Sequence, residues 1–287
     1  MVSQLADYEV TSTVVDDGVL PCLRARRPPR LGGDGAPVTI WALGPLARTT
    51  WATAWARLQP VTSVRSPHLP DWLEAGVSDW DQRPVVWVSA STPVSGTLAS
   101  SSSQLSLPAR LRAVAAAARG AHVLHERGQL HGAISPHSVA LVAAPAAGVP
   151  SSPWATSPGG TEMAGQAVLA PPSLANGVRP LTQIGYPPLG YLDPQLVRGQ
   201  AGRWSDIWAL GATARQVVAG TPPFPGIEDL PVVQALSQLL MAPSPAPADL
   251  PPPVAPIINA CLATDPANRP STAAEVADRL EEAAAKC

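Results

Sequence analysis

The chain has 287 residues, 46% of them hydrophobic, and a formal net charge of −2. That apolar content supplies a sizeable core and excludes a disordered chain. The lack of a basic excess argues against a nucleic-acid binder that works by neutralising phosphates. The only lysine is Lys286, next to the last residue, and the only Phe is Phe224. A mechanism that needs a lysine ammonium inside a cleft therefore has no residue to use. The arginine-dominated basic set and 35 prolines point to coding from a GC-rich genome.

Three cysteines, Cys22, Cys261 and Cys287, stand far apart without metal-type pairing. A reduced, cytoplasmic protein with inert thiols is expected. No run of 18 or more uncharged apolar residues suggests a membrane span. Asp7 and Glu9 interrupt any signal pattern at the start. Membrane association is expected only if the chain belongs to a longer protein.

In chain order, Tyr8 to Val15 alternates in a β-branched manner, and Asp16-Asp17-Gly18 supplies a turn. Val19 to Arg26 reads as the returning strand and Pro37 to Leu43 as a third. Thr49 to Leu58 predicts a short helix with Trp51, Trp55 and Leu58 on one face. Leu69 to Ala75 and Pro84 to Ala90 read as two more strands, and the Ser-rich Leu98 to Leu107 as a surface loop. Pro108 to Arg127 predicts a helix, with Leu111, Val114, Ala118, Ala121 and Leu124 at helical spacing and Gly128 as its stop. The Ala-, Pro-, Gly- and Ser-rich stretch from about 143 to 173 reads as a mobile insertion holding a short strand, Ala167 to Leu169. Helices are expected over Ser205 to Ala219, Pro231 to Met241 and Pro253 to Ala263, and a last one after the capping box Thr272-Ala-Ala-Glu275. The class is α+β: a β-rich first part over 1–92 and a helical second part over 93–287.

Three stretches carry a more specific signal. They are HERGQLHGAISPHSVAL from His125, GYLDPQLVRGQAGRWSDIWALGATARQVVAGTPPFPG from Gly190, and CLATDPANRPSTAAEVADRL from Cys261. In order and spacing they resemble the catalytic loop, the A-P-E segment with the following S-D-I-W-x-L-G helix, and the D-P-x-x-R-P motif of the bacterial serine/threonine protein kinases, of actinobacterial type. The resemblance implies a bilobal protein-kinase-like fold, with 1–92 as the N-lobe and 93–287 as the C-lobe.

The departures from the family pattern bear on activity. His131 matches the histidine of H-R-D-x-K-P-x-N. Gly132 and Ala133 replace Arg and the base Asp, Ser135 replaces Lys, and Ser138 replaces the metal-binding Asn. A methyl group cannot accept a hydroxyl proton. Trp41 stands at the phosphate-binding lysine, and Pro171 falls within the Ala-Pro-Pro-Ser run where D-F-G is expected. Neither of the family's metal ligands remains, and the glycine-rich loop is reduced to Asp16-Asp17-Gly18. Each such loss costs roughly 10²- to 10⁴-fold in rate, non-additively. No catalytic residue, metal or cofactor is expected. Trp41, Trp51 and Trp55 are expected to fill the cleft that nucleotide would occupy.

The resemblance leaves structural roles in place. It puts Asp206 where the family's buried Asp accepts hydrogen bonds from the catalytic-loop backbone, and it makes His131 a packed histidine rather than a base. Arg269 matches the partner of the A-P-E glutamate. That glutamate is Gln195 here, so an amide contact is expected in place of an ion pair. His122 and His125, with His131 and His137 nearby, lack the Cys or carboxylate set that would complete a metal site.

The resemblance thus implies a pseudokinase, a scaffold or allosteric module in kinase signalling. The partner would be an active Ser/Thr kinase or a phosphopeptide-binding domain recruited through phosphorylated Thr156, Thr161 or Thr182. The alternatives are a nucleotide sensor without turnover and a highly degenerate active kinase.

Overall fold

The structure, a computed structural model, describes residues 3–15, 20–32, 35–43, 51–80, 82–142, 166–172, 188–241, 243–244, 247–248 and 250–287. Strands β1 (Ser3–Leu5), β2 (Tyr8–Val15), β3 (Cys22–Arg26), β4 (Pro37–Leu43), β5 (Trp72–Trp80) and β6 (Arg83–Ala90) form one antiparallel sheet in the order β1-β2-β3-β4-β6-β5. β4 is buried from Val38 to Leu43, as a central strand with both faces covered must be. Trp41 and Leu43 belong to one cluster, together with Ala54 and Leu58 of helix α1 (Trp51–Thr62), and Val38, Ile40 and Ala42 belong to a second cluster with Leu5, Tyr8 and Trp87.

The sheet curls so that its edge strands β1 and β5 approach each other. Across that seam Tyr8 donates to Glu74 Oε1 at 2.7 Å, and Arg30 pairs with both Asp7 and Glu74.

Two expected elements shift. The strand read at Leu69 to Ala75 runs instead over Trp72–Trp80, because pairing with the whole of β6 extends it past weak strand formers such as Glu74 and Asp79. Helix α1 continues past Pro60 to Thr62, held by buried Val61. Its inward stripe is Ala54, Leu58 and Val61, so Trp55 is turned out and 38% exposed. Spacings of four and three residues through Leu58 fit either stripe, and packing chose the smaller side chains.

A second sheet has the order β7-β8-β9: β7 (Val94–Thr97), β8 (Val139–Val142) and β9 (Ala167–Leu169). The Ser-rich stretch after β7 is not a loop. It opens as a short helix, α2 (Leu98–Ser101), capped reciprocally by Thr97 and Ser100 and anchored by fully buried Leu98. Of the insertion expected over about 143–173, residues 143–165 and 173 lie outside the described residues. The described part carries β9, and Ala167 to Pro172 are buried, so that end is packed rather than mobile.

Among the described residues five further α-helices follow α3 (Leu107–His125), which is capped by Ser106 and carries Pro108 in its first turn. They are α4 (Pro194–Val197), α5 (Arg203–Ala219), α6 (Val232–Leu239), α7 (Ala255–Cys261) and α8 (Ala273–Lys286). α3 packs against α8, α5 and β9. Gly120 permits the last contact, since a Cβ there would lie 3.0 Å from Leu169 Cβ of β9 and 2.7 Å from the His68 carbonyl to which the Leu169 N–H donates. Gly211 does the same between α5 and α7, where a Cβ would lie 2.4 Å from that of Cys261. At α8, Thr272 accepts the Glu275 N–H at 3.1 Å, while the Glu275 carboxylate reaches back one residue further than a capping box, to the Ser271 N–H at 2.9 Å.

One apolar cluster runs without interruption from Trp41 and Leu58 through Val114 and Leu124 to Ile207 and Leu280. The large sheet and the helices therefore share a core across residue 92. Cys22 and Cys261 are buried free thiols within it, and Cys287 is exposed. Among the described residues no helix is long and apolar enough to cross a membrane.

Candidate functional site

The residues singled out in the sequence converge where the loop after α3 meets the start of α5 and the end of β9. Gly128, at φ +68°, ends the helical run, and the chain turns through His131 and Gly132, the latter at φ +69°. Asp206, in the first turn of α5, points into this loop and is 1% exposed. Its Oδ2 accepts the His131 N–H at 2.9 Å and its Oδ1 the Gly132 N–H at 2.8 Å. His125, on the last turn of α3, donates from Nε2 to Oδ2 at 2.8 Å. Burial by itself would push the Asp206 carboxyl up. The donors from His125 and Gly132 outweigh it and hold the group below its ordinary value of 3.8.

His131 is fully buried. Its Nε2 lies 2.9 Å from the Ala170 carbonyl, and its Nδ1 lies 3.2 Å from the Ala133 N–H. A carbonyl can only accept and an N–H can only donate, so the proton sits on Nε2 and the ring is neutral. Both nitrogens are then spent inside the fold, and neither is free to take a proton from a substrate. Burial is the largest influence on this ring and lowers its proton affinity below the ordinary 6.5, against the opposing charge of Asp206; His125 and Arg57, the other titratable groups acting on it, also lower it.

A histidine whose folded pKa is depressed stabilises the fold fully above its unfolded value, and that contribution is lost as pH falls. Urea midpoints are therefore expected to be flat above about pH 6.5 and to decline below it. A second decline below about pH 3.9 is expected as Asp206 takes up its proton. Burial also holds the His68 ring below its ordinary 6.5 and adds to the same decline, so His131→Gln should make the upper decline shallower without abolishing it; an identical slope between about pH 7 and 5 in the variant would refute the assignment.

The other predicted positions are structural in their contacts. Ala133 is buried and offers only a methyl. Ser138 Oγ accepts the Ser135 N–H and donates to the Ser135 carbonyl, both at 3.0 Å, which closes a tight turn. The Ser138 carbonyl in turn accepts the Ala170 N–H at 2.8 Å, and Pro171 is buried just beyond. Trp41 lies in the core, edge-to-face with Trp72 at 5.6 Å between centroids. Trp51 is partly buried against the same core, whereas Trp55, expected beside it, faces solvent. α1 contributes Arg57, whose half-buried guanidinium has its proton affinity lowered by burial, with the charge of Asp206 acting in the opposite direction.

Arg269 corrects the sequence reading. It forms a bidentate pair not with Gln195 but with Asp193, at 2.8 and 3.1 Å, with both side chains fully buried. Two of its other three donors go to the carbonyls of Trp204 and Ala263, and the guanidinium lies 4.9 Å from the Trp208 ring centroid. Gln195 donates instead to the Thr264 carbonyl at 3.2 Å. The signal for Asp193 is in the sequence: Asp-Pro is a helix-start pattern, and Asp193 caps α4 by accepting the Gln195 N–H. His125 is the other residue that sequence reasoning did not assign. Its role depends on where α3 ends relative to α5, which no local pattern encodes.

A small cleft at the meeting point is lined by Gly132, Ala133, Tyr191, Asp193, Leu196 and Asp206 among others. It encloses about 10 Å³, room for one water. Among the described residues no three His, Cys, Asp or Glu side chains are grouped so as to hold a metal ion. The candidate phosphosites Thr156, Thr161 and Thr182, and the turn Asp16-Asp17-Gly18, lie outside the described residues. Searches for a matching family model and for a matching curated protein find none.

Proposed function

We propose that this chain is a protein-kinase-like domain that does not transfer phosphate and serves as a binding module in bacterial kinase signalling. The observation that carries the reading is the state of the two carboxylates lining the cleft. Asp206 is committed to His125 and the His131 and Gly132 N–H groups, and Asp193 is committed to Arg269. Ala133, in the position that the resemblance gives to the base, can neither accept a proton nor orient a hydroxyl. Trp41, in the position of the phosphate-binding lysine, is an indole buried in the core rather than a cation in a cleft. These contacts support a bilobal kinase-like arrangement kept for its shape. The partner would be an active Ser/Thr kinase or a phosphopeptide-binding domain reading Thr156, Thr161 or Thr182.

Radiolabelled ATP with Mg²⁺ or Mn²⁺ tests the reading. No incorporation into the protein or into a generic substrate is expected above a heat-killed control. Incorporation that disappears on mutating a residue of the cleft would overturn it.

A further inference from the structure

A second cavity, of about 350 Å³, lies away from the His125–Asp206 network, where the chain between α1 and β5 meets the turn after β6 and the ends of β8 and β9. That volume is at the lower end for pockets that take small molecules. Its walls are apolar and stiff: Pro67, Leu69, Pro70, Pro93, Val142 and Val168. Proline fixes its own backbone, and the rims are tied to one another. The Leu169 N–H donates to the His68 carbonyl at 3.0 Å, the Ser91 N–H to the Asp71 carbonyl at 2.9 Å, and the Asp71 N–H to Thr92 Oγ1 at 2.7 Å. The cavity is thus formed before anything enters it.

Two opposite charges stand at its edge without a close contact. Arg65 Nε and Asp71 Oδ1 are 3.7 Å apart, with side chains 60% and 65% exposed. Arg65 is held by the carbonyls of Thr62, Val64 and Trp72, which use three of its five N–H groups. Nε–H and one N–H on Nη2 have no hydrogen-bond partner among the described residues. Ser91 donates to Asp71 Oδ2 at 2.6 Å, which orients the carboxylate and leaves Oδ1 open. A fixed cation and a fixed anion a few ångströms apart, above an apolar cavity, complement a small zwitterion that carries an apolar group.

We propose that this cavity binds a free amino acid with a large apolar side chain, its carboxylate on Arg65, its ammonium on Asp71 and its side chain against the proline and valine walls. The ligand would replace one loose, solvent-exposed ion pair by two charge-assisted ones. It would also bridge the 63–71 segment to β9, whose following residue Ala170 holds His131 through its carbonyl.

Calorimetric titration of the whole chain with L-tryptophan and L-phenylalanine tests this, with N-acetyl-L-tryptophan and L-tryptophanamide as probes lacking one charge each. Saturable binding of the free amino acids is expected, weakened about tenfold or more for each derivative. Asp71→Asn should abolish the advantage of the free ammonium, and Arg65→Gln that of the free carboxylate. Gln166→Trp, an exposed position at the mouth, should block binding while leaving the thermal melt unchanged. No heat up to the solubility limit of either amino acid would overturn the proposal. So would binding that is indifferent to the derivatives, or binding that survives in both Asp71→Asn and Gln166→Trp.

Discussion

Arg269→Met is expected to destabilise the chain by about 3–5 kcal/mol, the cost of breaking a buried ion pair by removing one partner. The penalty comes from what remains. The Asp193 carboxylate would stay at zero exposure with only the Gln195 N–H as a donor, and the carbonyls of Trp204 and Ala263 would lose theirs. Packing over Trp208 would be lost as well. Arg269→Lys should not rescue the fold, because an ammonium cannot reproduce the two parallel bonds. Replacing both partners, as Arg269→Met with Asp193→Leu, should recover a substantial part of the loss. Urea midpoints of the three variants check this. A single variant within about 0.5 kcal/mol of wild type, the range of an ordinary surface substitution, would sink the assigned role.

Asp206→Ala is expected to cost about 2–4 kcal/mol. It would strand the N–H groups of His131 and Gly132 and the Nε2 donor of His125 in a largely buried region with room for no more than about one water. The effect should be local as well as global, since three chain segments meet at this one carboxylate. Amide hydrogen exchange at His131 and Gly132 should therefore accelerate even where the rest of the fold stays protected. An unchanged midpoint with unchanged exchange at those two amides would show that the carboxylate does not organise the loop. Asp206→Asn should fall between, because an amide oxygen still accepts while its NH₂ faces donors.

Much of the local structure was legible because it depends on neighbours in sequence. Tyr8–Val15 and Pro37–Leu43 form the strands expected of them, and the five apolar positions read along α3 are all fully buried. Gly220 stops α5 in a left-handed conformation, and Thr272 caps α8. These signals are periodicity, capping and φ preference, and each acts within a few residues. The misreadings share the opposite cause. Trp55 turns outward because two stripes of equal spacing compete on α1, and only the facing sheet selects between them. β7 and β8 were not expected because their strand character comes from pairing with each other and with β9.

The sequence by itself determined which functional groups are present at each position: a methyl at 133, an indole at 41 and a single lysine ammonium at 286, because side-chain functional groups do not depend on context. The tertiary structure decided which groups meet. It gave Arg269 to Asp193 rather than Gln195, brought His125 to Asp206 across 81 residues of sequence, and fixed the His131 proton on Nε2 by setting the Ala170 carbonyl against it. Those pairings follow from the demand that each buried charge and N–H find a partner. That demand is satisfied between segments distant in the chain, where no spacing rule applies.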